Sequence, residues 1–147
     1  MVVIAHNIRS LFNVGAFFRT CDAFGVEHLY LTGYTAAPPR VEISKTALGA
    51  DATVPWSKER NVAMVMDRLH ADGYTIVAFE ADPCLPSIRH ATIPKKVALL
   101  FGNEPDGLPR EVMAHTDLQL TIPMLGKKSS LNVAVAAGVA LYALCGC

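Results

Sequence analysis

Short apolar runs alternate along this chain with stretches whose apolar residues recur at helical spacing. Residues 2–5 (Val-Val-Ile-Ala) read as a short buried strand. In 13–24, Val14, Phe17, Phe18, Cys21 and Phe24 fall on one helical face, and Gly25 stops the helix. Residues 28–32 are strand-like, and 44–49 suit one or two helical turns. Ser57 is placed to cap a helix that carries Val62, Val65, Met66 and Leu69 and ends at Gly73. Strands are expected at 74–79, 96–101 and 118–122. Pro109 opens a short helix to 114, and 131–144 is a closing helix. Strands separated by helices predict an α/β fold, a mostly parallel sheet with helices on both faces. Ligands in such sheets sit at the carboxyl ends of the strands. Three loops rich in Gly, Asn and Pro follow strands there: 7–15, 102–107 and 123–132.

Composition narrows the classes. The chain has 147 residues, 52% of them hydrophobic and 18% charged. That excludes a disordered chain. No apolar run reaches the ~18 residues of a membrane span. The richest, 131–145, is interrupted by Asn132 and Gly138 and reads as a buried core helix. No repeat or linker divides the chain, so a single domain over 1–147 is expected. No leader is expected, because Met1 runs directly into the first strand, and the four cysteines form no CxxC or zinc pattern. A reduced, cytoplasmic protein is expected. Thirteen Lys and Arg balance thirteen Asp and Glu, which argues mildly against nucleic-acid binding. Distribution tempers the sum. Arg9, Arg19, Lys45, Arg110, Lys127 and Lys128 fall in or beside the three loops, and the acids lie more in between.

Each loop has a chemical and a plainer structural reading. In the first, Asn13 can cap the helix, and Arg19 can pair with Asp22 along it. Arg is also the residue type suited to forked phosphate contact. In the second, Gly102, Pro105, Gly107 and Pro109 set an unusual backbone path, and Glu104 stands where a carboxylate rarely serves packing. In the third, Ser130 is placed as an N-cap, with Asn132 in the first turn of the last helix. Gly126-Lys127 does not make a phosphate loop, because position 121 is Thr and position 128 is Lys. There is no GxGxxG after a strand, no GxSxG, and no metal spacing among the five histidines. The Cys145-Gly146-Cys147 tail reads as a frayed terminus rather than a metal site.

Together the three loops resemble the signature motifs of the SpoU (TrmH-like) RNA ribose 2′-O-methyltransferases of the SPOUT superfamily. The matching stretches are Asn7-Ile8-Arg9-Ser10, Asn13-Val14-Gly15, Arg19-Thr20 and Phe24-Gly25, then Leu100-Phe101-Gly102-Asn103-Glu104 with Gly107-Leu108, then Ile122-Pro123-Met124 with Ser129-Ser130-Leu131-Asn132-Val133-Ala134. All three occur in order and span nearly the whole chain. The resemblance implies a C-terminal deep trefoil knot, a homodimer, and S-adenosylmethionine as cofactor. It implies cofactor contacts at Leu100, Phe101, Gly102, Asn103, Glu104, Ile122, Pro123, Met124, Gly126, Ser130 and Leu131. It implies catalysis by Arg19, Asn13, Glu104, Ser130 and Asn132, and RNA contacts at Arg9, Arg19, Lys45, Arg110, Lys127 and Lys128. Gly138 and several Ala suit close helix contact between subunits. No metal and no membrane are implied. Many relatives carry a further RNA-binding domain, which this chain is expected to lack. A tRNA stem-loop is the favoured substrate and ribosomal RNA the second. A knotted RNA- or cofactor-binding protein without catalysis is the third reading.

Overall fold

The computed structural model of the protein describes residues 1–103 and 105–145. One six-stranded sheet, in the order β3-β2-β1-β5-β4-β6, organises them. The strands are β1 (Val2–His6), β2 (His28–Thr32), β3 (Trp56–Glu59), β4 (Thr75–Phe79), β5 (Val97–Phe101) and β6 (Leu118–Leu120). Every neighbouring pair is parallel. The central strands β1 and β5 are buried along their whole lengths, which is why they read as unbroken apolar runs. Alternate side chains go to opposite faces. Val3, Ala5, Leu99 and Phe101 join one core with α1 (Leu11–Ala23), α2 (Val41–Ala47), α3 (Ala50–Thr53) and α6 (Val133–Leu144). Val2, Ile4, Ala98 and Leu100 join the other with α4 (Val62–Ala71) and α5 (Arg110–Met113). The sheet therefore carries helices on both faces, as its alternating pattern predicts. None of the described helices is long and apolar enough to cross a membrane.

Three capping expectations are corrected. Ser57 lies inside β3, an edge strand whose Trp-Ser-Lys-Glu sequence has no apolar run to announce it. The cap of α4 is Asn61, whose Oδ1 accepts from Ala63 and Met64 N–H. Helix α1 starts two residues earlier than its apolar face suggests, capped by Ser10 through the Asn13 N–H at 3.3 Å. Helix α6 is capped by Asn132, not Ser130. Asn132 Oδ1 accepts from Ala134 N–H at 2.9 Å and Val135 N–H at 3.3 Å. In each case several neighbouring polar residues compete for one capping role, and loop geometry chooses among them.

Gly15 shows how closely the first helix is seated. A Cβ there would lie 2.7 Å from Thr46 Cβ and closer still to the Ile43 carbonyl oxygen of α2. Because backbone blocks the space, Gly15→Ala must push α1 from α2. A loss of about 1–3 kcal/mol in urea unfolding is expected. Unchanged stability would show that the two helices are not seated this closely.

Candidate active site

The described cavity opens at the carboxyl ends of the neighbouring strands β5 and β4, with the segment after β6 as its third side. After β5 the chain turns back so that Gly107 N–H donates to Asn103 O at 2.9 Å. Gly107 has φ +66°, and a Cβ on Gly102 would lie 2.8 Å from the Gly107 carbonyl carbon. This close approach needs glycine on both sides. From the end of β4, Glu80 Oε1 accepts Leu108 N–H at 2.7 Å. Its second oxygen would lie 2.7 Å from a Cβ on Gly107. Burial raises the Glu80 pKa, the Leu108 and Ala81 N–H groups oppose that rise, and Asp82 adds to it. The rings of Phe79 and Phe101 stack below, 5.1 Å apart. After β6, Thr121 N–H donates to Pro86 O at 2.9 Å and Thr121 O accepts Ile88 N–H at 3.0 Å. The third loop leaves from that anchor.

These segments enclose a cavity of about 380 Å³, within the usual range for small-ligand sites. Phe101, Gly102, Asn103, Ile122, Met124, Ser130 and Leu131 line it, as the resemblance implies. Leu100 instead faces the core beneath the sheet. Pro123 and Gly126 belong to the third loop but not to the cavity wall, and Gly126 projects toward open space. Glu104 and Cys147 lie outside the described residues. Sequence reading passed over Glu80, Asp82, Pro105 and Asp106, which also line the cavity. For Glu80 a signal was present, because it follows four buried residues of β4 as Glu104 follows β5. The wall thus carries the carboxylates Glu80, Asp82 and Asp106, and no Lys or Arg among the described residues. That charge suits a cationic ligand and opposes a polyphosphate. Glycine-bounded backbone and aromatic rings suit a bent, partly apolar one.

The first loop meets the third at this site. Asn132 Nδ2 donates to Asn13 Oδ1 at 3.1 Å, across 119 positions of sequence. Asn132 stands between the cavity-lining Leu131 and Val133, but neither asparagine belongs to the cavity wall. Arg19 is exposed on α1 and does not belong to the cavity wall of its own chain. Arg9 precedes α1, Lys45 lies on α2, Arg110 opens α5, and Lys127 and Lys128 stand in the third loop. All five are exposed. Gly138 faces Thr20 of α1 in the same chain, with 3.6 Å to an added Cβ. Val135, Val139 and Tyr142 form the exposed face of α6. Cys21 is buried and its thiol is pushed up to about 12, so it packs rather than attacks. Among the described residues no His, Cys, Asp or Glu group is arranged to hold a metal ion.

A buried network supports the first loop from below. Asn7 Nδ2 lies 3.1 Å from His6 Nε2, which must accept, so His6 Nδ1 carries the proton toward Thr32 Oγ1 at 2.9 Å. Burial and then Lys58 lower the His6 pKa. Burial and then Arg68 lower that of His28. The unfolded chain binds these protons near pH 6.5, the folded chain only below it. Both groups therefore withdraw stability as pH falls through that value. The His6→Gln, His28→Gln double variant should lose less stability than the unaltered protein between about pH 7 and 5 in urea unfolding. Parallel losses in the two proteins would refute the neutral assignments.

The fold and the cavity define an α/β protein with an acidic-walled cavity at its strand ends, and comparison places it further. Residues 1–142 match the SpoU rRNA Methylase family. The chain is 33% identical over 141 residues to the 23S rRNA (guanosine-2′-O-)-methyltransferase RlmB of Neisseria meningitidis serogroup B, covering 96% of this chain and 56% of that protein. It superposes on the SpoU methyltransferase AviRb from Streptomyces viridochromogenes, solved in complex with AdoMet, with a TM-score of 0.88 and 27% identity. That match covers 97% of this chain and 56% of the other. A structure solved for the 2-OH methylation of C/U34 on tRNA matches with a TM-score of 0.84 and 31% identity, over 95% of this chain and 90% of that one. The chain belongs to the SpoU rRNA Methylase family. It spans a little over half the length of the curated relatives it matches.

Proposed function

We propose that this protein transfers the methyl group of S-adenosylmethionine to a ribose 2′-OH of RNA. The observation that carries this reading is the cavity walled by the second and third motifs and tied to the first by the Asn13–Asn132 bond. The cofactor supplies an electrophilic methyl on a positive sulfur, and the acidic wall at Glu80, Asp82 and Asp106 favours that charge. The attacking 2′-OH must lose its proton around the transition state. A guanidinium stays protonated and cannot take that proton. Arg19 instead clamps the neighbouring phosphate and stabilises developing charge, with the phosphate able to accept the proton. Asn13, Ser130 and Asn132 orient the ribose, and Glu104 positions its loop or Arg19. In-line alignment of sulfur, methyl and oxygen supplies much of the rate.

A homodimer completes the site in this reading. Val135, Val139 and Tyr142 fall on one exposed face of α6, and α6 packs beside the α1 segment that carries Arg19. Pairing on that face would place Arg19 at the seam between subunits. A trefoil knot is also proposed for the C-terminal part. Its support is the course of the third loop, bonded to Pro86 and Ile88 at one end and to Asn13 at the other. The 147 residues are proposed to work as one catalytic unit in the cytoplasm, with Arg9, Lys45, Arg110, Lys127 and Lys128 toward RNA. A tRNA is favoured over ribosomal RNA; the neighbour solved for 2-OH methylation of C/U34 on tRNA, at 31% identity, supports the first, and the RlmB relatives support the second. Calorimetry with S-adenosylmethionine, then transfer of labelled methyl to total tRNA and rRNA with nuclease mapping, tests the reading. Cofactor binding and label on a 2′-O-methyl nucleotide are expected. Label on a base, or none with either RNA, would overturn it. Sedimentation should show a dimer that Val139→Glu separates.

A further inference from the structure

We propose that Tyr34 is a nucleobase platform at the edge of the cofactor cavity, on which an unpaired base of the RNA substrate stacks. The inference rests on the RNA reading above, but its evidence is separate. Tyr34 follows β2 in a turn, and the residue is 54% exposed. A lone exposed aromatic needs no explanation, but this one is fastened at both ends. Its N–H donates to Asn7 Oδ1 at 3.1 Å, and its hydroxyl accepts from Asn103 Nδ2 at 2.6 Å. Asn103 is buried and lines the cavity.

The turn that presents the ring is locked from three sides. Asn7 adopts a left-handed φ of 57°, a conformation costly for a non-glycine residue. Its Oδ1 occupies the space a Cβ on Gly33 would need, and Gly33 itself has φ +64°. The Thr35 hydroxyl donates to Ala5 O and accepts Ile8 N–H, each at 2.9 Å. Lys58 Nζ donates to the Gly33 and Thr35 carbonyls. A ring ordered this way has already lost its rotamer freedom, so a stacking partner keeps more of the gain. Every base offers a π-face, and unpaired RNA is commonly read by stacking. Arg9, exposed and next to the Ile8 that bonds this turn, adds a cation for the adjoining phosphate.

The test uses a fluorescein-labelled oligoadenylate and its abasic ribose-phosphate counterpart, read by anisotropy. Tyr34→Ala should bind oligoadenylate about tenfold more weakly. The abasic strand should bind both proteins alike. Tyr34→Phe keeps the ring and should stay within about threefold of the unaltered protein. Both variants lose the hydroxyl that Asn103 holds, so their calorimetric affinities for S-adenosylmethionine should equal each other. Equal oligoadenylate binding by Tyr34→Ala, an equal loss on the abasic strand, or a cofactor affinity lower in Tyr34→Ala than in Tyr34→Phe would each overturn the platform. So would failure of the unaltered protein to bind oligoadenylate. If the Tyr34 effect appears but no RNA is methylated, the catalytic reading fails and the platform stands.

Discussion

Arg19→Ala is expected to lower methyl transfer by about 10²–10³-fold, the usual cost of removing one electrostatic stabiliser. Affinity for S-adenosylmethionine should stay within about twofold, less than the energy of one hydrogen bond. The split follows from placement. Arg19 is exposed on α1 and stands outside the cavity wall of its chain, so cofactor binding does not depend on it. In the proposed mechanism negative charge is greatest on the 2′-oxygen as its proton leaves, and a forked cation held on the adjoining phosphate counts most at that moment. Arg19→Lys keeps the charge but loses the fork, and should recover part of the rate. The measurements are initial rates with labelled cofactor and calorimetry on the same preparations. If Arg19→Ala binds cofactor poorly, the residue supports folding rather than chemistry.

Gly102→Ala should weaken cofactor binding by about 10²-fold, the scale of a roughly 1 Å misplacement in an active site. The added methyl would lie 2.8 Å from the Gly107 carbonyl carbon and from Leu108 Cγ, and 2.9 Å from the Gly107 oxygen. Leu108 Cγ belongs to a side chain that can turn aside. The Gly107 peptide cannot, because Asn103 O accepts the Gly107 N–H on one side and Glu80 holds the Leu108 N–H on the other. The whole turn must shift, and it forms one wall of the cavity. Gly126→Ala is the matched control. Nothing lies within 4 Å of its added Cβ, and cofactor affinity should not change. If the two variants bind alike in calorimetry, the wall is not held as the geometry requires.

Several parts of the molecule were legible before any coordinates. Strand β2 coincides with the expected 28–32, and β4 and β5 begin one residue inside the expected runs. Burial on both faces writes an unbroken apolar run, and amphipathic α1 and α4 write a helical one. Strand β3 was missed because an edge strand of half-buried polar residues writes neither. The motif residues of the second and third loops were legible as chemistry because packing does not ask for them. Glu80 carried a related signal, a carboxylate at the end of buried β4, but its role did not show. Its neighbour Leu108 is 28 positions away, and nothing local marks the contact. Gly138 was read as a contact between subunits. Within its own chain it meets Thr20, because α6 folds back onto α1.

The order of residues by itself determined the alternation of buried strands and covering helices, and which loops hold groups too costly for a core. Periodicity and desolvation act on near neighbours, so they can be read along the chain. Only the tertiary structure decided which of Ser130 and Asn132 caps α6, that Asn132 reaches Asn13, and that Glu80 braces the cofactor loop. Those choices depend on which strand ends lie side by side in the sheet. Strand order is a property of the whole packed chain and of no single segment in it.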